Sequence, residues 1–365
     1  MSKSKLPIFK TARLLLKEVT SADIPSYEKY FVDYEVINQL SAAVPWPYPK
    51  NGIVEFLDKF ISPDQGKTQW LWGIFEKENP NILIGVVHLW QNGRPENRGF
   101  WLGKAFWGKG YMTEAVTPVM DYAFNELGFE KLVFANAVGN EKSRRVKVKT
   151  GARLIGVKPG KFVNPKYTEH EIWELTKKEW IRKKIFNEFT EQPVLSTSRL
   201  VLEPITEKHA KELVEFFSDN ELHHFVPFEP PTLEQQTKRC IQWAKRRSPD
   251  GTEIWLNWAA RDNQSGKIAA HIQAGVKEDG IASIGYVVGR KFQRIGIATE
   301  CLEALFKYLR DSLCVHEVRV WSDTRNEASH RLAKKMGMIQ IELIKNADSF
   351  KGSSSDEYVF SKELR

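Results

Sequence analysis

Apolar positions along the first half of the chain alternate with the period of a strand and then recur at helical spacing. The second half repeats the pattern in the same order. Residues 13–18 read as an early strand, followed by a charged stretch of helical character. Two further strands follow at 70–76 and 82–90, then a short one at 99–102. Past a glycine turn, residues 113–127 predict an amphipathic helix, 131–138 a strand, and 143–149 a short helix stopped by Gly151. The second half predicts strands at 199–203, 285–288 and 317–322 and helices at 299–313 and 329–336, the last stopped by Gly337. Gly151 and Gly337 are placed as C′ caps. Each half closes on a strand pair, ending at 171–175 or 357–361. The expected fold class is α+β, each half a central mixed β-sheet flanked by helices.

The two halves are related residue by residue. Thr11-Ala-Arg-Leu-Leu-Leu returns as Thr197-Ser-Arg-Leu-Val-Leu, a shift of 186 positions. The same shift carries Gly110-Tyr-Met-Thr-Glu114 onto Gly296-Ile-Ala-Thr-Glu300, Asn140-Glu-Lys-Ser143 onto Asn326-Glu-Ala-Ser329, and Trp72 onto Trp258. Solenoid repeats run at roughly 20–50 residues, so a period this long marks a duplicated domain. The expected domains are 1–185 and 186–365, joined by a charged, helix-like connector within 177–196.

Composition narrows the class. With 365 residues, 42% hydrophobic and 27% charged, the chain has enough apolar material for two cores and is neither disordered nor collagen-like. No apolar run reaches the roughly 18 residues of a membrane span, and the start shows no apolar leader, so a cytoplasmic protein is expected. Three cysteines, all in the second half, give no disulfide framework, and the histidines lack metal-ligand spacing, so no metal is expected. Residues 1–185 hold 29 Lys+Arg against 20 Asp+Glu (+9), and 186–365 hold 25 against 26 (−1). A basic half can mark a nucleic-acid partner. With no helix-turn-helix, zinc finger or RNA-binding aromatic motif, an ordinary solvated surface is the better reading. No feature specifies an oligomeric state.

The strongest local signal is the glycine turn between strand and helix: Trp107-Gly-Lys-Gly-Tyr-Met-Thr-Glu114 and Gln293-Arg-Ile-Gly-Ile-Ala-Thr-Glu300. Small residues let backbone amides approach an anion at a helix N-terminus, a geometry suited to a pyrophosphate. A P-loop is disfavoured, because Gly110 stands where Ser or Thr would ligate Mg²⁺. The dinucleotide pattern Gly-x-Gly-x-x-Gly occurs in neither copy.

The run Gln293-Arg-Ile-Gly-Ile-Ala298 resembles the acetyl-CoA loop of the GNAT acetyltransferases, Gln/Arg-x-x-Gly-x-Gly/Ala. Copy one, with its Thr-x-Arg-Leu opening, Trp-Gly-Lys-Gly-Tyr-Met-Thr-Glu loop and Asn-x-x-Ser, is similar to the RimJ/RimL subgroup. It departs by Trp107 at the Gln/Arg position and Met112 at the last small position. The resemblance covers nearly all of both copies and implies acetyl-CoA as cofactor. Its pyrophosphate is expected on the amides of Gly108, Lys109, Gly110, Tyr111 and Met112, following Trp107. In copy two the equivalents are Arg294, Ile295, Gly296, Ile297 and Ala298, following Gln293. The CoA arm is expected between the strand ending at Leu102 or Val288 and the one starting near Lys131 or Glu317. A strand amide there would face the thioester carbonyl. Asn140 and Asn326 are expected to hold the pantetheine end, or simply to cap the short helix.

Many family members carry a Tyr seven residues after this Asn, to protonate the departing thiolate; here the position is Lys147 or Ala333. Ser143 and Ser329 are the substitutes, the bland alternative being ordinary first-turn helix residues. Glu96, before the short strand of copy one, is the candidate base, with Asp356 and His170 as others; copy two has Ala282-Ser283 at the Glu96 position. That carboxylate makes copy one the expected busier copy. Of the cluster Lys142, Arg144, Arg145, Lys147 and Lys149 around the short helix, and His330, Arg331, Lys334 and Lys335 in copy two, one or two are candidates for the CoA 3′-phosphate and the rest read as a solvated face. The implied activity is acetyl transfer to a primary amine, a protein N-terminus or a small amine, by direct attack in a ternary complex. Two alternatives stand beside it: one catalytic copy with a structural or CoA-sensing copy, and a non-catalytic nucleic-acid-associated protein. Acceptor specificity is expected in segments 27–63 and 216–249.

Overall fold

The computed structural model describes residues 6–91 and 93–365; the chain start read above for a leader lies outside these as far as Lys5. Internal contacts divide the chain into two units, Met1–Trp180 and Ile181–Arg365, a division that falls within one helix, Lys177–Glu188.

In the first unit, β1 (Leu14–Glu18), β2 (Gln69–Glu76), β3 (Asn79–Trp90) and β4 (Arg98–Leu102) form an antiparallel sheet, edged by the two-residue strand Phe9–Lys10. Both faces are covered. Along β2 and β3, alternate residues point to opposite sides. Trp72, Ile74, Val87 and Leu89 pack on one face with Ala115, Val119 and Ala123 of helix α2 (Tyr111–Asn125). Leu71, Phe75 and Val86 pack on the other with Tyr27 and Phe31 of α1 (Ile24–Phe31). A separate sheet, ordered β5-β7-β6, is built from β5 (Lys131–Ala137), β6 (Arg153–Pro159) and β7 (Glu169–Thr176). The short helix α3 (Glu141–Lys149) follows β5 and ends before Gly151, which takes the left-handed φ of +84° expected at C′.

The second unit repeats this plan as one eight-stranded mixed sheet, edged by the two-residue strand Leu195–Ser196. After helix α4, which is Lys177–Glu188, come β8 (Leu200–Pro204), β9 (Glu253–Asp262), β10 (Ile268–Lys277), β11 (Ile281–Val288), β12 (Glu317–Asp323), β13 (Ile339–Phe350) and β14 (Ser353–Glu363). Helix α5 (Ile297–Leu313) covers the sheet as α2 does, and α6 (Glu327–Lys335) matches α3, again ending before a left-handed glycine, Gly337 at φ +73°.

One opening in each sheet matters for the site. β4 and β5 touch through Asn97, whose backbone N–H donates to the Val133 carbonyl at 2.8 Å while its side-chain oxygen accepts from the Val133 N–H at 3.0 Å. Beyond that point the two strands part. β11 and β12 run parallel and pair only between Ile281–Ser283 and Glu317–Arg319 before diverging in the same way. Copy one therefore has two sheets where a single one was expected, because its splay begins at the first residue of β4.

Candidate active site

Each glycine turn is held in shape by backbone that most side chains disfavour. Gly108 and Gly110 have φ of +79° and +80°, and Gly110 is the residue before α2. Copy two places Arg294 at +61° and Gly296 at +87°. Left-handed backbone costs a residue with a Cβ roughly 1–2 kcal/mol, so copy two carries strain at Arg294 that glycine spares copy one. A Cβ at Gly108 would meet nothing within 4 Å, which leaves the turn open to a ligand on that side. The first amides of α2 and α5 have no partner inside their own helices and carry the positive end of the helix dipole.

A second feature explains why Thr-x-Arg and the loop's Glu recur together. Arg13 donates from its backbone N–H and its Nε to the two oxygens of Glu114, each at 2.7 Å, and Thr11 donates to the same carboxylate at 2.6 Å. Its Nη1 then reaches the Lys109 carbonyl in the turn at 3.0 Å. Copy two builds the same clamp from Thr197, Arg199 and Glu300, with Arg199 Nη1 on the Ile295 carbonyl at 2.9 Å. Partial burial works against the Glu300 charge, but the hydrogen bonds from Thr197, Arg199 and Ser198 outweigh it and hold the carboxyl down to about 2. The clamp ties the turn to the first strand of each unit.

The sequence-predicted loop residues meet in this turn, mostly through their backbones. Trp107 Nε1 donates to the Leu102 carbonyl at 2.7 Å, and Gln293 Nε2 to the Val288 carbonyl at 3.0 Å. Tryptophan at the Gln position is thus the same contact made by a different donor. Met112 and Ile297 bury their side chains in the core, and Tyr111 donates its hydroxyl to Glu76 at 2.7 Å. Ile295 is exposed and Ala298 half-buried at the start of α5. Lys142 of α3 lies over the Trp107 ring, 3.4 Å from its centroid.

At the splay the two copies separate. Asn140 and Asn326 cap their helices alike, each accepting from the N–H of Ser143 or Ser329 at 3.1 Å. The serine hydroxyls then take different partners. Ser329 Oγ shares a 2.8 Å hydrogen bond with the Tyr286 hydroxyl of β11; burial pushes that phenol's pKa up, opposed by the bond to Ser329. Ser143 Oγ instead accepts from Lys147 Nζ at 2.7 Å, one turn along α3. Lys147 is buried, its nitrogen 5.5 Å from the Phe100 ring, and burial first, then the nearby Arg98 charge, depress its pKa well below the ordinary lysine value, with Glu171 opposing.

Arg98 is buried too, stacked 3.9 Å from the Phe134 ring centroid, and burial lowers it to about 9. Its Nε and Nη2 have no hydrogen-bond partner among the described residues. Glu171 accepts from Asn136, Trp173 and Arg144. In copy two Ile284, Ala333 and Ser322 replace Arg98, Lys147 and Asn136, and the carboxylate is Glu357. Burial raises its pKa, helped by Asp348 and Asp323. Glu96 lies near His170, where its charge opposes the burial that lowers the imidazole's pKa. Sequence reasoning did not single out Tyr286, Arg98 or Glu357. Among the described residues no group of three or more His, Cys, Asp or Glu side chains is arranged to hold a metal ion.

The model of the acetyltransferase (GNAT) domain matches residues 13–153 and again 199–339, most of the chain. The chain belongs to the GNAT family. It is accordingly an N-acetyltransferase whose acetyl donor is acetyl-CoA, and each copy is a GNAT domain. A left-handed turn before the helix and an adjoining strand splay occur in both copies, and the turn of copy one is open at Gly108.

Among relatives, "Putative ribosomal N-acetyltransferase YdaF" of Bacillus subtilis is 36% identical over 99 residues, covering 27% of this chain and 54% of that protein. The chain thus spans about half of that relative's length. "Uncharacterized N-acetyltransferase YoaA" of the same organism is 26% identical over 41% of this chain and 85% of its own. The solved RimL ribosomal L7/L12 α-N-protein acetyltransferase in complex with coenzyme A is 18% identical, with a TM-score of 0.43, over 47% of this chain and 98% of that one. No helix among the described residues is long and apolar enough to cross a membrane.

Proposed function

We propose that this GNAT pair transfers acetyl from acetyl-CoA to a primary amine, a protein N-terminal amine or a small amine, by direct attack within a ternary complex. The observation that carries the reading is the recurrence, in both copies, of an open glycine turn clamped by Arg–Glu beside a strand splay. When bound, acetyl-CoA supplies the activated acetyl group. The amides of residues 108–112 and 294–298 hold its pyrophosphate, and the splay receives its arm. Lys142, over Trp107 at the mouth of the turn, is placed to meet a phosphate.

In copy two the Ser329 hydroxyl, held by Tyr286, keeps a proton at the splay for the departing thiolate. Glu357, made a stronger base by burial and by the Asp348 and Asp323 charges, accepts in its ionised form the proton released by the amine. Asn326 fixes the start of α6, and so the position of Ser329. A second reading, one catalytic copy and one CoA-sensing copy, is favoured by a single difference. The space near Ser143 holds the buried side chains of Lys147 and Arg98, where copy two has Ala333 and Ile284.

The name of the YdaF relative makes ribosomal-protein N-termini the first acceptors to try. Thiol release from acetyl-CoA, followed over a panel of N-terminal peptides, polyamines and aminoglycosides, tests the reading. Turnover with at least one amine is expected. Absence of acetyl-CoA binding, or binding with no turnover on any amine, overturns it.

A further inference from the structure

The amine of Lys147 has no role in the mechanism above, and its surroundings are unusual for a lysine. It rises from α3 into the space between β4 and the β5–β7 sheet. Its nitrogen lies 5.5 Å from the Phe100 ring of β4 and 2.7 Å from Ser143 Oγ. The side chain is 1% exposed, so no solvent-borne protein can reach it. The carboxylate that acts on it, Glu171, is already engaged by Asn136, Trp173 and Arg144, while Arg98 adds a second buried cation whose Nε and Nη2 have no hydrogen-bond partner among the described residues. An ammonium here is desolvated by burial and repelled by Arg98, which shifts the balance toward the neutral amine. A neutral primary amine is a nucleophile. Copy two, with Ala333, has no amine at this position.

We propose that Lys147 is itself an acetyl acceptor: copy one acetylates its own ε-amino group from acetyl-CoA bound in that splay. The inference rests on the reading that the splay receives the acetyl-CoA arm. The Nζ lone pair forms a C–N bond to the thioester carbonyl carbon. The C–S bond breaks, and its electron pair leaves on sulfur. The proton lost from nitrogen passes to that thiolate through the Ser143 hydroxyl, giving an acetamide on Lys147 and free CoA thiol.

The product cannot be protonated at neutral pH, so the repulsion from Arg98 disappears. It also places an acetyl group beside Phe100 and Ser143, where the thioester of a further acetyl-CoA would have to lie. Copy one is therefore modified once and then closed to further cofactor, while copy two continues to turn over. Burial makes the modification selective, because only a ligand that enters the splay can deliver the acetyl group.

The full-length chain is incubated with acetyl-CoA and no acceptor, then read by intact mass and by peptide mapping, with acetyl-CoA binding measured by calorimetry on the same preparation. The expected result is one added acetyl group per chain, on Lys147. It should be lost in Gly110→Asp, which blocks the turn of copy one, and kept in Gly296→Asp. An unmodified Lys147 in a chain whose first copy binds acetyl-CoA overturns this inference and leaves the proposed function standing. Failure of copy one to bind acetyl-CoA in a preparation whose Lys147 is unmodified overturns both for that copy. Equal labelling of Lys147 in Gly110→Asp shows uncatalysed chemical acetylation and also overturns the inference. Lys147→Met should carry no label at the mapped peptide.

Discussion

Ser143 and Ser329 begin their helices under the same asparagine cap, at the same 3.1 Å, yet one hydroxyl meets a lysine of its own helix and the other a tyrosine of a neighbouring strand. Everything that shapes the backbone is repeated: the cap, the clamp, the left-handed turn and the C′ glycine. What differs is the set of side chains lining the splay. Phe100, Lys147 and Arg98 become Tyr286, Ala333 and Ile284. A duplicated binding frame has kept its geometry while the groups that handle protons have diverged.

The largest expected effect asks whether the frame is shared. Gly110→Asp and Gly296→Asp each force a Cβ and a carboxylate onto left-handed backbone at the helix N-terminus, beside Arg13 or Arg199, where the new charge competes for the clamp and repels a pyrophosphate. Each should abolish acetyl-CoA binding in its own copy, taking calorimetric stoichiometry from two to one. A stoichiometry of one in the unaltered chain with Lys147 unmodified would mean that one copy has lost the cofactor altogether.

Next comes the divergence itself. General acids contribute about 10²–10⁴-fold, so Ser329→Ala should lower kcat by at least the low end of that range with little change in acetyl-CoA affinity. Tyr286→Phe should lower it in the same direction. Ser143→Ala should leave acceptor turnover nearly unchanged. This reverses the order expected from Glu96, because that carboxylate lies near His170 whereas copy two pairs two hydroxyls at its splay. Equal losses from both serine variants would make the two sites chemically equivalent.

The buried lysine sharpens the contrast through pH. Its folded-state pKa is depressed, so the unfolded state binds more protons between the folded value and the ordinary value of about 10.4. Stability of the first unit therefore rises with pH through that window. Lys147→Met removes the burden and should stabilise the unit's unfolding transition by about 1–4 kcal/mol at neutral pH, with the gain shrinking as pH approaches the upper limit. Denaturant melts across pH check this; a gain independent of pH would assign the effect to packing alone.

The smallest effect lies in the turn. Arg294→Gly should stabilise the second unit by about 1 kcal/mol by relieving left-handed strain, and Gly108→Arg should destabilise the first by a similar amount. Thermal melts of the two variants read the difference.

Much of this frame was legible before any coordinates. The 186-residue shift, the glycine turn and the short helix stopped by glycine depend on local backbone preferences, and these write themselves into sequence. Strands 253–262 and 268–277 were not marked, because alanine-rich runs such as Trp258-Ala-Ala carry little alternation when both faces are buried. The proton-handling groups were harder still. Tyr286 meets Ser329 across 43 positions, a contact no motif records. Lys147 stands among Lys142, Arg144, Arg145 and Lys149, and a run of cations on a short helix looks like a solvated face until the strand that covers one of them is known. Arg98 lies one residue outside the short strand expected at 99–102, and the structure makes it that strand's first residue.

The Arg–Glu clamp has a consequence for synthesis. Thr11 and Arg13 bond to Glu114 across 103 and 101 positions, and the second copy repeats both separations. A ribosome-bound chain cannot set its cofactor turn until the first strand has been joined by a helix made about a hundred residues later. Cofactor capture is thus a report that a unit has closed end to end. Trimming a handful of residues from the front of either copy should blind the turn at its far side, although every residue that touches the cofactor remains.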